Sequence, residues 1–198
     1  MGISPQDFRR MQGRMAEGGL PDQEDPAAAL PTFRRVLGID PSLRGTGYGI
    51  VERQGRTQQL VLAGTIRCPA ALSKSRCLAT IASQIRTLIA SHSPEVCVVE
   101  GLFFAQNLKT AITMGEARGA ALAMVAEAGL GIFELSPRAA KLAIVGYGGA
   151  QKIAVAKMVQ RILGLAEPPE SDAADALALA LALTQGGSGL SSRRMKPL

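Results

Sequence analysis

Four acidic residues stand where apolar segments of this chain begin or end. They are Asp40 in V-L-G-I-D-P-S, Glu100 in V-C-V-V-E-G, and the pair Asp172 and Asp175 in S-D-A-A-D-A-L. An ionised carboxylate beside apolar surroundings needs a hydrogen-bond donor, a paired cation or a bound metal, because burying the bare charge is costly. The repetition of this pattern along one chain indicates a metal site.

The charge balance around these acids favours a polyanionic partner. The 198 residues include 22 Lys and Arg against 16 Asp and Glu, a net charge of +6. Residues 1–33 hold three Arg and five acids, so the remainder has 19 basic and 11 acidic residues, a balance of +8. A basic body around an acidic cluster suits a polyanion with a divalent cation between them. A moderately basic, solvated surface without such a partner is the alternative.

The composition predicts one domain with a full core. The hydrophobic content is 47% over 198 residues, which is sufficient for a single domain. No apolar stretch reaches the roughly 18 residues of a membrane-spanning helix, and no apolar segment follows the N-terminal arginines as it does in a secretory signal. Cys68, Cys77 and Cys97 lack C-x-x-C spacing and are predicted to be reduced thiols. We therefore expect a cytoplasmic protein that does not associate with a membrane.

Both ends of the chain differ from its middle. Residues 1–33 include P-D-Q-E-D-P and show no apolar periodicity, which predicts a disordered N-terminal extension. Residues 186–198, with the sequence G-G-S-G-L-S-S-R-R-M-K-P-L, predict a flexible basic tail. The domain itself is expected to occupy residues 34–185.

The middle of the chain predicts an α/β fold. The predicted strands are 34–40, 48–53, 58–67, 96–100 and 132–135, and the predicted helices lie around 78–89, at 107–128, after 136–137, at 151–163 and from about 171. Three initial strands without intervening helices are most simply antiparallel, and the later alternation gives a mixed five-stranded sheet with helices on both faces. If the strands that end at Asp40 and Glu100 are parallel neighbours, both carboxyl groups emerge at one edge of the sheet.

The last helix carries conflicting signals. The run A-L-A-L-A-L-A-L from Ala176 alternates with period two, which is typical of a strand. However, Ala and Leu are strong helix formers, and Pro168-Pro169 followed by Ser171 favours a helix start. We predict a helix buried on most sides, with Asp172 and Asp175 three residues apart on one face of its first turn.

Five sequence blocks, taken in order, resemble the RuvC family of Holliday junction resolvases. They are L-G-I-D-P-S-L-R-G-T-G-Y-G, V-V-E-G-L-F-F-A-Q-N, M-G-E-A-R-G, R-A-A-K-L-A-I-V-G with G-G-A-Q-K, and D-A-A-D-A-L-A-L-A, spanning residues 36–184. The first block alone is weak, since a similar one binds phosphate in sugar kinases and actin-like ATPases. The full series is specific, and the resemblance implies the ribonuclease H-like fold of the retroviral integrase superfamily.

The resemblance also implies roles for individual residues. Matching the metal-binding catalytic acids of the family are Asp40, Glu100, Asp172 and Asp175. Phe103 matches the aromatic residue that stacks at the junction centre, and Lys141 and Lys152 match DNA-contacting lysines. The sequence departs from the family pattern in two places. Ser42 stands where Gly is common, and position 172 is Asp where some relatives have His, so this site carries more negative charge.

The implied activity is resolution of four-way DNA junctions by symmetric nicking of two strands in recombination and repair. A two-fold substrate that is cut twice predicts a homodimer, and the family implies the branch-migration proteins RuvA and RuvB as partners. In-line hydrolysis of a phosphodiester needs an activated water and a stabilised leaving oxygen, and two divalent ions supply both. Oxygen ligands favour Mg²⁺, for which Mn²⁺ can substitute, and the lack of Cys/His spacing disfavours zinc.

Two alternatives stay open from the sequence. The first is another ribonuclease H-like nuclease that acts on different structured DNA or RNA. The second is a non-catalytic junction-binding module, which would keep the basic surface but would not need all four acids. An actin-like ATPase is disfavoured because it requires a second comparable domain, for which this chain is too short.

Overall fold

The computed structural model describes residues 33–101, 107–185 and 195–198 of the chain. The strands are β1 (Arg35–Asp40), β2 (Gly45–Gln54), β3 (Thr57–Arg67), β4 (Val96–Glu100), β5 (Gly131–Leu135) and β6 (Met195–Pro197). The helices are α1 (Lys74–His92), α2 (Leu108–Glu127), α3 (Pro137–Val145), α4 (Lys152–Leu163) and α5 (Ser171–Thr184). This order agrees with the alternation predicted for the middle of the chain.

The strands form one mixed sheet in the order β3-β2-β1-β4-β5-β6. Strands β1, β2 and β3 are antiparallel neighbours, as expected for strands joined by short turns. Strands β1, β4 and β5 run parallel, with helices in the connections between them. The predicted mixed sheet with helices on both faces is confirmed.

The sheet contains one strand more than the five predicted. Met195–Pro197 pair antiparallel with Phe133–Leu135 of β5, whereas the sequence predicts a flexible tail over 186–198. The sequence does not predict this strand because an edge strand offers its unpaired N–H and C=O groups to any segment. A three-residue strand can therefore pair there without an apolar pattern of its own. The predicted N-terminal extension lies outside the described residues, except for residue 33.

Apolar side chains fill two cores, one on each face of the sheet. Along β4, Val96 and Val98 pack in the core formed with α3, α4 and α5, whereas Cys97 and Val99 pack in the core formed with α1 and α2. Successive side chains of a strand point to opposite faces. A strand covered on both faces therefore reads as a continuous apolar run, as this one does.

Helix α5 is the centre of the first core. All residues from Ala173 to Thr184 are buried except Asp175. This confirms the prediction of a helix buried on most sides. Because apolar residues surround the whole helix, the period-two pattern from Ala176 carries no information about strand structure.

Glycines allow α5 to lie directly against the sheet. Gly38 of β1 is paired with Gly49 of β2, and the G-T-G-Y-G run places further glycines on the same face. A β-carbon on Gly38 would lie 2.0 Å from the carbonyl oxygen of Ala176, and one on Gly47 would lie 2.0 Å from that of Asp172. These are backbone atoms that cannot rotate aside, so glycine is required for this close approach. The glycines therefore determine where the start of α5 sits.

The cysteines agree with the predicted reduced state. Cys68, Cys77 and Cys97 are buried free thiols. In the part of the chain that the structure describes, no helix has the length and apolarity needed to cross a membrane.

Candidate functional site

Asp40 and Glu100 are the last residues of two parallel, adjacent strands. The register pairs Ile39 of β1 with Val99 of β4, so the two acids are the next residues along. Side chains alternate along a strand, which places both acids on the face covered by α5. Their carboxyl groups share a hydrogen bond. The structure thus brings these two predicted site residues together at one edge of the sheet.

These carboxyl groups resist ionisation because they are buried among other acids. Burial raises the pKa of Glu100 to about 8, and the charges of Asp40 and Asp175 contribute to the increase. Burial likewise raises the pKa of Asp40, with additional contributions from Asp175 and Asp172, while the hydrogen bond with Glu100 acts in the opposite direction. Asp175 of α5 therefore lies within electrostatic reach of both Asp40 and Glu100, and Asp172 lies within reach of Asp40.

Helix α5 supplies the other two acids. It begins at Ser171, and Asp172 lies in its first turn. Asp175 is the fifth residue of the helix and lies just beyond that turn, which corrects the prediction that the first turn holds both. The Asp172 carboxylate faces the start of β2, since a β-carbon on Gly45 would lie 2.8 Å from its Oδ2 atom. The three-residue spacing keeps both acids on one side of the helix.

The two lysines predicted from the resemblance also lie at this edge. Lys152 is the first residue of α4, and its Nζ atom donates a hydrogen bond to Asp175 Oδ2 at 2.6 Å. The hydrogen bond with Asp175 raises the pKa of Lys152. Lys141 of α3 lines a shallow cleft together with Glu100 and Asp175. Both ammonium-bearing side chains therefore border the group of acids.

Phe103, the predicted stacking residue, lies outside the described residues. It belongs to the segment that connects Glu100 at the end of β4 to Leu108 at the start of α2. Its position in the sequence therefore places it within a few residues of the acidic edge, and its role stays a prediction.

The four acids have the chemistry of a divalent cation site but are engaged in other contacts. Within residues 33–101, 107–185 and 195–198, no three His, Cys, Asp or Glu side chains are arranged so that they could hold one ion together. Asp40 and Glu100 are hydrogen-bonded to each other, and Asp175 is bound by Lys152. Carboxylate oxygens are the ligands that Mg²⁺ and Mn²⁺ prefer. A cation would relieve the crowding that raises these pKa values, so the residues fit such an ion once these contacts exchange.

The turn after Asp40 accommodates Ser42 in place of the glycine common in the family. Ser42 Oγ accepts a hydrogen bond from the Gly45 N–H at 3.1 Å, and Thr46 Oγ1 donates one to the Ser42 carbonyl at 2.6 Å. Thr46 is completely buried. Because both hydrogen bonds close the turn, the serine supports the conformation that follows the acid.

Sequence reasoning assigned no role to Arg118, although M-G-E-A-R-G is one of the five blocks. Arg118 is only 8% exposed. Its guanidinium donates to the Glu100 carbonyl oxygen and to Glu134 Oε2, each at 2.5 Å. The available signal was a single arginine among the small residues of an Ala-rich helix. The glycines that face α5 were also missed, although their alternate spacing in G-T-G-Y-G places them on one face of a strand.

Comparison with known proteins identifies one family. The family described as crossover junction endodeoxyribonuclease RuvC matches residues 36–183. The crossover junction endodeoxyribonuclease RuvC of Akkermansia muciniphila is 47% identical over 147 residues, covering 74% of this chain and 88% of that protein. Its counterpart in Chloroflexus aggregans is 44% identical over 148 residues, covering 74% and 90% respectively.

Solved structures agree with this match. The structure of T. thermophilus RuvC in complex with Holliday junction substrate has a TM-score of 0.75 and 32% sequence identity, and the match covers 83% of this chain and 99% of that one. The yeast mitochondrial Holliday junction resolvase Ydc2 shares the fold, with a TM-score of 0.57 at 15% identity over 85% of this chain and 86% of that one. The chain has the predicted ribonuclease H-like fold and belongs to the RuvC family of crossover junction endodeoxyribonucleases.

Proposed function

We propose that this protein is an endonuclease that resolves Holliday junctions by symmetric, metal-dependent nicking of two DNA strands in recombination and repair. The observation that carries the proposal is the convergence of four carboxyl groups from β1, β4 and α5 at one edge of the sheet. Their mutual charge contributes to the raised pKa values of Asp40 and Glu100. Family membership supports the substrate, because T. thermophilus RuvC is known in complex with a Holliday junction.

The acids would hold Mg²⁺, two ions per site, with Mn²⁺ as a substitute. Bound there, the ions would lower the pKa of the attacking water and stabilise the leaving oxygen. The chain supplies a rigid frame for them, since Asp40 and Glu100 end paired strands. Asp172 and Asp175 are held by a helix that is packed directly on the sheet.

The lysines would bind the phosphates that flank the cleaved bond. Lys152 is 66% exposed at its side chain although it binds Asp175, so it can exchange that carboxylate for a phosphate oxygen when DNA and metal are present. Lys141 borders Glu100 and Asp175 in the same cleft. Both contacts would neutralise phosphate without reading the bases. Phe103, which follows β4 in the sequence, would stack on a base exposed at the junction centre.

A homodimer would provide two equivalent sites for the two cuts. One side of α2 offers a surface for such contact, because Leu108 is 77% and Ile112 is 51% exposed. Gly115 and Gly119 continue that side at helical spacing, and a β-carbon at either would meet no atom of the described residues within 4 Å. An exposed apolar stripe beside open glycines permits close packing of a second copy.

The remaining assignments rest on the family and on general chemistry. RuvA and RuvB are proposed as partners because the family implies branch-migration proteins. A cytoplasmic location is proposed because the three cysteines are free thiols, as is usual in a reducing compartment.

Incubation of the purified protein with a labelled four-way junction tests this function. We expect paired, symmetric nicks in the junction with Mg²⁺, no cleavage with EDTA, and little cleavage of a duplex of the same sequence. Asp40→Asn serves as the matched control, which should bind the junction without cutting it. Binding without nicking by the wild type would favour the non-catalytic module. Equal cleavage of duplex or of an RNA–DNA hybrid would favour a nuclease of different specificity.

A further inference from the structure

Arg118 is a buried cation on the side of the sheet opposite the acids. It lies in α2, packed against the face that carries Cys97 and Val99. Glu134 of β5 is paired in register with Val99 and so faces the same side. The carboxyl group of Glu100 points to the other side, toward α5. Arg118 therefore approaches the end of β4 from behind the group of acids.

The guanidinium joins the ends of two strands. One nitrogen donates to the carbonyl oxygen of Glu100 and another to Oε2 of Glu134, each at 2.5 Å. The Glu134 carboxylate balances the buried charge, with side-chain exposures of 10% for Arg118 and 24% for Glu134. The peptide after Glu100 is held as well, because the Gly101 N–H donates to the Leu135 carbonyl at 2.9 Å. The peptide group that joins Glu100 to Gly101 is thereby held through both its carbonyl oxygen and its N–H.

We propose that Arg118 is a positioning residue that orients Glu100 for metal binding through its main-chain carbonyl. The inference rests on the proposed function, because it concerns the same group of acids. The adjacent strand β1 continues from Asp40 into Pro41, a residue with no N–H to donate. A donor from α2 holds the Glu100 peptide at the point where pairing between β1 and β4 ends, and the direction of a side chain follows that of its peptide.

The contact acts by geometry rather than by charge. Arg118 contacts the main-chain carbonyl of Glu100, and its own charge is paired with Glu134. Removal of Arg118 therefore takes a hydrogen-bond donor from the Glu100 peptide without removing a direct contact to the carboxyl group. Partners that orient metal ligands in this way typically change metal affinity about 10- to 100-fold when they are removed.

Titration of Mn²⁺ into the protein without DNA, followed by the EPR signal of the free ion, tests the proposal. We expect Arg118→Met to weaken Mn²⁺ binding about 10- to 100-fold and Arg118→Lys, which keeps one donor and the charge, to restore part of that loss. Junction affinity in EDTA should stay near the wild-type value for both variants. The matched control is Val125→Ala, which shortens a fully buried side chain of the same helix without touching Glu100.

The outcomes separate this inference from the proposed function. Wild-type affinity for Mn²⁺ in a folded Arg118→Met protein, or an equal loss in Val125→Ala, would overturn the positioning role alone. Wild-type protein that binds no Mn²⁺ would overturn the metal site, and the positioning role with it. If Arg118→Met does not fold, Glu134→Leu carries the test, because leucine cannot accept the hydrogen bond that helps to hold the guanidinium at the Glu100 carbonyl. Weaker Mn²⁺ binding in that variant supports the role, and unchanged binding contradicts it.

Discussion

Carboxylates near the two ends of β1 have opposite surroundings. Beside the start of β1, Glu52 of the neighbouring strand β2 is buried and accepts hydrogen bonds from Arg34 at 2.9 Å and from Arg35 at 2.5 and 3.0 Å. These bonds hold the pKa of Glu52 below its usual range. At its end, Asp40 is packed with Glu100, and both pKa values are raised. Two guanidinium groups thus bind one acid at one end, whereas at the other end Lys152 binds one of the four acids, Asp175.

We interpret this difference as one between a charge that the fold balances and charges that are left for a ligand. A carboxylate with two arginine partners has its charge balanced within the fold, so it stabilises the native state and has no further need of a cation. Acids that raise each other's pKa are less stable together than apart, and the fold keeps them together only because strand ends and a packed helix hold them. The negative charge at the Asp40 end of β1 is the one that a divalent ion would balance.

The largest expected difference in cleavage rate is between variants that neutralise an acid of the candidate site and a variant that neutralises Glu52. Asp40→Asn, Glu100→Gln and Asp175→Asn should each reduce junction cleavage by about 1,000-fold or more, because a metal ligand is lost. Junction binding should persist, since removal of a negative charge also reduces repulsion from phosphate. Asp172→His should retain partial activity, because imidazole also binds divalent ions. Single-turnover cleavage at saturating protein measures these effects.

Glu52→Gln is the control for that series. It should cut at nearly the wild-type rate, although its stability falls. A cleavage defect as large as that of Glu100→Gln would mean that the two ends of β1 do not differ in function.

Moving the helix that carries two of the acids should have the next largest effect. In Gly47→Ala, the new methyl group would lie 2.0 Å from the Asp172 carbonyl oxygen, so α5 must shift away from β2. We expect a loss of about 1–3 kcal/mol in stability and about 100-fold slower cleavage, since small displacements of catalytic groups are costly. The matched control is Gly131→Ala, where the nearest atom is Val96 Cγ2 at 3.8 Å. Equal melting temperatures and rates for the two variants would show that α5 is not held by this contact.

The two ends should also respond to pH with opposite signs in protein free of divalent ions. Glu100 has a pKa of about 8 against an ordinary 4.5, so its bound proton favours folding fully below about pH 4.5 and less as pH rises through 8. The stability of wild type relative to Glu100→Gln should therefore fall between about pH 5 and 8. Glu52 has a lowered pKa, so the advantage of wild type over Glu52→Gln is present above pH 4.5 and is lost as pH falls below it. Urea unfolding in EDTA at several pH values measures both differences, and equal signs would contradict the contrast.

The smallest expected effect concerns the basic residues at the two ends, which are Lys141 and Lys152 beside the four acids and Arg34 beside Glu52. Lys141→Ala and Lys152→Ala should weaken binding to all junction sequences alike, and each should reduce the log–log salt dependence by about 0.9. Arg34→Ala is matched in exposure, with 69% for Arg34 and 66% for Lys152, and should leave the slope unchanged. Phe103→Ala should lower cleavage more than binding at an unchanged slope. A wild-type salt slope in the lysine variants would mean that both lysines are ordinary surface residues that do not contact phosphate.

The acids could be predicted from the sequence because each sits at or near the end of a regular element. An apolar strand that finishes in Asp or Glu places the carboxyl group at the edge of a sheet, and parallel pairing then brings two such edges together. The helical reading of the Ala/Leu run succeeded because intrinsic propensity outweighed its alternation. The grouping of the acids at one edge of the sheet thus follows from local sequence patterns and a simple strand order.

Contacts that depend on the backbone or on the packing of distant elements could not be predicted in the same way. Arg118 binds a carbonyl oxygen, which every residue possesses, so no sequence pattern identifies its partner. β6 pairs with β5 through main-chain groups alone. The ion pair between Lys152 and Asp175 joins residues 23 positions apart, and it arises only once α4 and α5 are packed together. Long-range geometry decided each of these features.

Direct titration of Mn²⁺, followed by EPR, into wild type, Glu52→Gln and the double variant Asp40→Asn/Glu100→Gln tests the central claim that the unbalanced acids form the metal site. We predict similar affinity for wild type and Glu52→Gln, and a loss of binding of about 100-fold or more for the double variant, because two ligands are removed. Unchanged Mn²⁺ affinity in a folded double variant, or an equal loss in Glu52→Gln, would contradict the account.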